Sequence, residues 1–158
     1  MVFMEKATFG AGCFWGVQAA FDKLKGIVYS EVGFMGGSVK EPTYEQVSNE
    51  ETGHAEVVQL IFDPDKISYE DLLKEFWEVH NPTLLNQQGL NEGTQYRSVI
   101  FYHNEQQKNK AEEAKKQEQL SGKYDMKIAT AIEPATTFYP AAEKHQKYLE
   151  KQNLEQSK

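Results

Sequence analysis

The sequence predicts an α+β fold: a two-layer sandwich on a β-α-β-β-α-β core, with one further αβ unit and a C-terminal tail. Three observations predict it. Short apolar runs alternate with segments whose apolar residues recur every three or four positions. The first six such segments run strand, helix, strand, strand, helix, strand. No repeat, low-complexity tract or linker interrupts the 158 residues, a length that suits one domain spanning 1–158.

Residues 5–9, E-K-A-T-F, read as the first strand, broken by Gly10 and Gly12. A helix from Cys13 to Leu24 follows from the helical spacing of Phe14, Val17, Ala20, Phe21 and Leu24, with Gly26 as its terminator. I-V-Y-S-E-V-G-F (27–34) is a strand stopped by Gly36-Gly37, and A-E-V-V-Q-L-I-F-D-P (55–64) a second, stopped by Asp63-Pro64. Ser68 and Asp71 make a capping box for a helix that must stop near Asn81, because Pro82 follows. S-V-I-F-Y-H (98–103) completes the split βαβ order of ferredoxin-like sandwiches. Asn104 caps a long polar helix ending at Ser121-Gly122, and M-K-I-A-T-A-I-E (126–133) is a last strand. Residues 140–152 read as a tail helix with Pro140 in its first turn.

Composition narrows the partners. A net charge of −7 argues against nucleic acid and anionic membrane surfaces, which reward basic patches. No apolar stretch approaches the roughly 20 residues of a membrane span. Glu5 and Lys6 fall where the apolar core of a secretory leader would run. With a single cysteine no internal disulfide can form, so a reducing, cytoplasmic location is expected. Four histidines without further cysteines give no zinc-ligand spacing, and no metal, nucleotide or prosthetic group is implied.

The one thiol, Cys13, stands in G-A-G-C-F-W-G at a strand-to-helix junction. Helix N-termini present unpaired N–H groups and favour an anion, so the expected effect is a lowered pKa and a larger thiolate fraction. A lone cysteine is otherwise a small buried hydrophobe, and Phe14 and Trp15 would be core residues. The pair argues against that for both rings. Adjacent helical side chains point about 100° apart, so one ring is expected to line a surface beside the thiol.

G-C-F-W-G resembles the active-site motif of the A-type peptide methionine sulfoxide reductases. G-F-M-G-G, P-T-Y-E-Q-V, T-G-H-A-E-V-V, F-D-P, S-Y-E-D-L-L, F-W-E-V-H-N-P, Q-G, G-T-Q-Y-R-S and F-Y-P with His145-Gln146 follow in that family's order, over about residues 7–148. The resemblance implies thiol-dependent reduction of methionine S-sulfoxide, free or in proteins, as a protein-repair activity. It makes Cys13 the nucleophile, which becomes a sulfenic acid as methionine leaves. Phe14 and Trp15 would hold the substrate's ε-methyl group. Glu56 would be the acid, kept protonated by desolvation, with Tyr44 and Tyr96 hydrogen-bonding the sulfoxide oxygen. His54 would be structural, and Gly53 and Gly93 would serve backbone conformation.

Three departures stand out. Asn91 occupies the family's aspartate position, losing a charge near the acid and the nucleophile. Ala142 and Lys144 replace the more usual residues near the tail. The resolving cysteines of many family members are absent, so an external thiol, glutathione (with or without glutaredoxin) or thioredoxin, must regenerate Cys13. Other classes remain open from the residues alone: a cysteine hydrolase using one of His54, His80, His103 or His145, a non-catalytic binder of methionine-containing peptides, or a peroxidase.

Overall fold

A computed structural model describes residues 3–156, so the first two and last two residues of the expected 1–158 unit lie outside it. In chain order the elements are β1 (Glu5–Ala11), α1 (Phe14–Asp22), β2 (Ile27–Met35), α2 (Tyr44–Ser48), β3 (Ala55–Phe62) and α3 (Tyr69–Glu78). The two-residue strands β4 (Gln87–Gln88) and β5 (Asn91–Glu92) come next, then β6 (Ser98–Tyr102) and α4 (Glu105–Leu120). β7 (Ala131–Pro134), β8 (Tyr139–Pro140) and α5 (Tyr148–Gln156) close the chain.

The main sheet runs β7-β6-β1-β3-β2-β8, and its middle four strands are antiparallel throughout. That is the expected split βαβ core. The extra unit is a crossover through α4 that lays β7 parallel to β6, while β8 pairs antiparallel with β2 at the other edge. Strand alternation sorts the side chains: Ala7, Phe9 and Ala11 of β1 are buried with Val58 and Leu60 of β3 in one cluster. There Phe9 stacks on Phe21 of α1 (centroids 5.4 Å apart) and meets Phe76 of α3 at 5.3 Å. Met35, Ala55, Val57, Val99 and Phe101 make a second, smaller cluster, against which Ala131, Ala135 and Phe138 pack.

The Ser68/Asp71 capping box and the Asn104 cap are present. Four expectations need correction. β1 does not break at Gly10: it runs on to Ala11, with Gly10 paired to Val99, where a Cβ would lie 2.8 Å from the Val99 side chain. Glycine is there for close approach, not for a stop. Helix α1 ends at Asp22, and Gly26 takes its positive φ one turn later. The last core-edge strand starts at Ala131 rather than at 126, because the N–H groups of Ile128 and Ala129 bond Gln119 Oε1 and the Pro82 carbonyl at 2.7 Å each. Pro140 does not open a helix. It sits in β8 opposite Gly33, and the tail helix begins only at Tyr148, after a left-handed turn at Lys147 (φ 56°).

Candidate active site

Strand β1 stops at Ala11, Gly12 turns at φ 98°, and Cys13 becomes the N-cap of α1. A side chain at Gly12 would collide with Gln88, 2.9 Å away, so the β4–β5 hairpin packs directly on this turn. Gln88 is itself clamped: its amide accepts from the Asn81 N–H (2.9 Å) and donates to the Asn81 carbonyl (2.7 Å). The Cys13 thiol is free and half-buried. The N–H groups of Trp15 and Gly16 favour its thiolate, but no capping hydrogen bond closes on the sulfur. Burial outweighs them, and the nearby Glu56 charge adds to it, so the thiol is pushed up from its ordinary 9.0. The expectation of a lowered pKa is corrected: desolvation exceeds what the helix N-terminus returns.

Glu56 is the second residue of β3, and alternation puts its side chain on the helix-facing side with Val58 and Leu60. That register carries the carboxyl beneath the start of α1, where Oε1 accepts the Phe14 N–H at 3.1 Å. Oε2 is buried with no partner, and the residue is 1% exposed. Desolvation raises its pKa from 4.5 to about 7, with the Phe14 N–H pulling the other way. At neutral pH the group is therefore an acid about half protonated, close enough to Cys13 to raise it.

Two tyrosines complete the polar side. Tyr44 opens α2, whose Thr43/Gln46 capping box fixes it, and Tyr96 ends a 3-10 turn that Gly93 enters at φ 139°. Burial raises both hydroxyls, Tyr96 to about 12, and the charges of Glu56 and Cys13 raise them further. Such coupling requires proximity: Cys13, Glu56, Tyr44 and Tyr96 form one cluster. On the apolar side Phe14 is buried against Phe34 (5.7 Å), and Trp15 is half-buried. Trp15 lies against Tyr148 at 3.9 Å, with His145 5.8 Å away, its indole N–H donating to His145 Nδ1 (3.2 Å). The tail therefore supplies one wall.

Asn91 stands apart. It is exposed in β5 opposite Gln88, and neither it nor Glu92 contributes to the raised pKa of Glu56. Three histidines are engaged elsewhere, His54 with Gly37 and Val39, His80 with Phe76 and Ser98, and His103 with Thr8, while His145 belongs to the wall of the site and spends Nδ1 on the Trp15 indole. No histidine ring hydrogen-bonds Cys13 and none is among the groups that shift its pKa, so the thiol–imidazole pair of a cysteine hydrolase is not formed. Among the described residues no group of three or more His, Cys, Asp and Glu is placed to hold a metal. Sequence reading missed Tyr148 and the aromatic role of His145, which lies 130 positions from Trp15. It also missed α2, although T-Y-E-Q carries the capping-box spacing that could have found it.

Known proteins share this arrangement of strand, turn and helix. The family model "Peptide methionine sulfoxide reductase" matches residues 5–158. A peptide methionine sulfoxide reductase MsrA 1 of a Nostoc species is 56% identical over 149 residues, covering 94% of this chain and 91% of that protein. The MsrA of Methanothermobacter thermautotrophicus is 58% identical over 147 residues, 93% and 87% of the two chains. Among solved structures, reduced Mxr1 from Saccharomyces cerevisiae superposes with a TM-score of 0.89 at 35% identity, covering 95% of this chain and 86% of its own. Mxr1 in complex with Trx2 matches at 0.65 and 28%, covering 92% and 84%. With the family model spanning nearly every residue and relatives more than half identical, the chain belongs to the peptide methionine sulfoxide reductase family, A type, and is a methionine sulfoxide-reducing oxidoreductase.

Proposed function

We propose that Cys13 performs the reduction, with Glu56 as its acid. The sulfoxide sulfur is attacked by the Cys13 thiolate while the Glu56 carboxyl protonates the sulfoxide oxygen. The S–O bond to the substrate breaks, the oxygen ends on Cys13 as a sulfenic acid, and the thioether of methionine leaves. The net change is thiol plus sulfoxide to sulfenic acid plus thioether, so atoms and electrons balance. The observation that carries this reading is the buried Glu56: one oxygen on the Phe14 N–H, the other unpartnered, and a pKa near 7 beside the only thiol. A carboxyl so placed can hold a proton at neutral pH and has an oxygen free for the substrate.

Tyr44 and Tyr96 hydrogen-bond the sulfoxide oxygen, and Phe14 with Trp15 takes the ε-methyl group. Such a handed pocket favours the S epimer. Asn91, on the exposed hairpin, is a lesser contributor that supports the turn through its pairing with Gln88. One continuous main sheet supports reading residues 1–158 as a single catalytic domain. No described helix is long and apolar enough to cross a membrane, and the solitary thiol suits a cytoplasmic home.

Regeneration then needs two external thiols. The first condenses with the sulfenic acid, releasing water and leaving a mixed disulfide; the second displaces Cys13 as thiolate. The complex of Mxr1 with Trx2 supports a protein thiol of the thioredoxin class in this role, and glutathione with glutaredoxin is the small-thiol alternative. The experiment is direct. One equivalent of resolved methionine S-sulfoxide, without reductant, should add one oxygen to the protein mass, whereas the R epimer should leave it unchanged. Loss of two hydrogens within a monomer, or equal consumption of both epimers, would overturn the reading.

A further inference from the structure

The aromatic wall beside Cys13 owes its orientation to one nitrogen. Tyr148 lies flat on Trp15, with centroids 3.9 Å apart and planes 14° from parallel. Such stacking presses two rings together and leaves each able to slide and turn within its own plane. A hydrogen bond is directional, and the Trp15 indole N–H makes one to His145 Nδ1 at 3.2 Å. That bond sets the in-plane angle at which the indole stands beside the thiol.

His145 is a fixed partner. It is 5% exposed, stacks on Tyr44 at 4.4 Å and meets Phe14 at 5.8 Å, so it packs against Phe14, Trp15 and Tyr44 together. The two residues that follow tie it to the scaffold. Gln146 exchanges 2.8 Å hydrogen bonds with the N–H and the carbonyl of Val32 in β2, and the Lys147 N–H donates to Gln18 Oε1 of α1, also at 2.8 Å. The Lys147 ammonium adds an ion pair with Asp22 (2.6 Å), at the far end of the helix that opens with Phe14 and Trp15.

The tautomer says why the residue is a histidine. An indole N–H only donates, so Nδ1 is bare and the proton of the neutral ring sits on Nε2. Nε2 is buried without a partner, which is destabilising. A phenylalanine would fill the same space with no orphaned donor. What it could not supply is the acceptor for Trp15. Burial, helped by Lys144 and opposed by Glu45, keeps the ring's pKa below its ordinary 6.5, so the acceptor is present at neutral pH.

We infer that His145 is a positioning residue: by accepting the Trp15 indole N–H it fixes the width of the ε-methyl pocket and restricts the reaction to sulfoxides with a small group on sulfur. The inference rests on the proposed reading of Cys13 as nucleophile and Trp15 as the methyl wall. One added methylene costs about 10–200-fold against a hydrophobic wall that holds still, and less against one that gives way.

The test compares N-acetylmethionine S-sulfoxide with its S-ethyl homologue of the same hand, in single turnovers without reductant, reading the oxygen gained by the protein. Wild type should prefer the methyl substrate by about tenfold or more in the ratio of maximal rate to half-saturating concentration. His145→Phe, which keeps a ring against Tyr44, should cut that preference by about fivefold, chiefly through the half-saturating concentration, because Cys13 and Glu56 are untouched. His145→Asn places an amide oxygen where Nδ1 stood and should retain more of it. The protein has two tryptophans, and the indole N–H resonance of Trp15, assigned against Trp15→Phe, should lose its hydrogen-bonded shift in His145→Phe and keep it in His145→Asn. An undiminished methyl preference or an unmoved Trp15 resonance in His145→Phe would overturn the inference, as would equal loss of preference in both variants. A wild type that takes both substrates equally would overturn the Trp15 wall along with it. A wild type that gains no oxygen from either would instead overturn the reading of Cys13.

Discussion

Two buried polar sites adjoin the same stretch of β1 and differ in whether their hydrogen bonds close. Ser98 lies opposite Ala11, two residues before Cys13. It belongs to a complete chain: His80 Nδ1 donates to the Phe76 carbonyl, Nε2 accepts from Ser98, and Ser98 accepts from Thr130, each at 2.7 Å. Burial holds His80 neutral, with its pKa lowered to about 4, and no atom of the imidazole is left over. Glu56 is buried more deeply than the half-buried His80 and has the opposite outcome. It has one partner, a spare oxygen and a pKa near 7. A serine beside a histidine invites a catalytic reading, yet the saturated pair is scaffold and the unsaturated acid is poised for chemistry.

The largest expected effects break the reactive side. Cys13→Ser should reduce turnover to background with any thiol. Glu56→Gln should lower kcat by about 10²–10⁴ and change the shape of the pH profile. The reactive form needs a thiolate and a protonated carboxyl together. Below about 7 the acid is protonated and the rate climbs with the thiolate; above 7 the two titrations offset each other until the raised thiol pKa is passed. Wild-type kcat/KM should therefore bend to a plateau at about pH 7, and Glu56→Gln should lose that bend and keep climbing. A bend that survives the substitution assigns it to another group.

Stability sharpens the same contrast with a smaller signal and opposite signs. Glu56 binds its proton more tightly folded (about 7) than unfolded (4.5), so its contribution is complete below 4.5 and is lost as pH rises through 7. His80 binds its proton less tightly folded (about 4) than unfolded (6.5), so its contribution is present above 6.5 and is lost as pH falls through 4. Each amounts to about 3 kcal/mol at most, at 1.36 kcal/mol per unit, and over pH 4.5–6.5 they oppose. Urea midpoints of Glu56→Gln should rise with pH across that window more steeply than wild type. His80→Asn should reduce the rise or reverse it, in proportion to what His103 still supplies. Parallel curves for the three proteins would show that neither group is held as described.

Legibility followed locality. β3 and α3 could be read because the apolar run of the one, the capping box of the other and their terminating prolines lie within or directly beside the segments themselves. The strand expected at 126–133 failed because Gln119 and Pro82 take the N–H groups of Ile128 and Ala129, and these partners are remote in sequence. Pro140 looked like a helix start on local grounds and became an edge-strand residue once Gly33 lay opposite it. In the site, Cys13, Phe14 and Trp15 are contiguous, whereas the Trp15–His145–Tyr148 wall is assembled from both ends of the chain, and composition carries no trace of it. Even the thiol's pKa was unreadable. The helix N-terminus is visible in sequence, but the desolvation that overrides it exists only after packing.

Asn91 tests how far the unsaturated site extends, and it carries the smallest expected effect. Its side chain is exposed on the hairpin whose Gln88 packs on Gly12, so a charge at this position acts on Glu56 and Cys13 partly through water. Glu56 reaches about 7 by burial alone, without a carboxylate beside it. Asn91→Asp should therefore raise both groups modestly. The bend in the pH–rate profile should move up by about 0.3 unit at low salt, the scale of one screened charge several ångströms away, and should return at high salt. A shift near one full unit that resists salt would mean that the hairpin closes over the substrate and carries residue 91 into the dry part of the site. No shift at any ionic strength would confine the working electrostatics to Cys13, Glu56 and the two tyrosines.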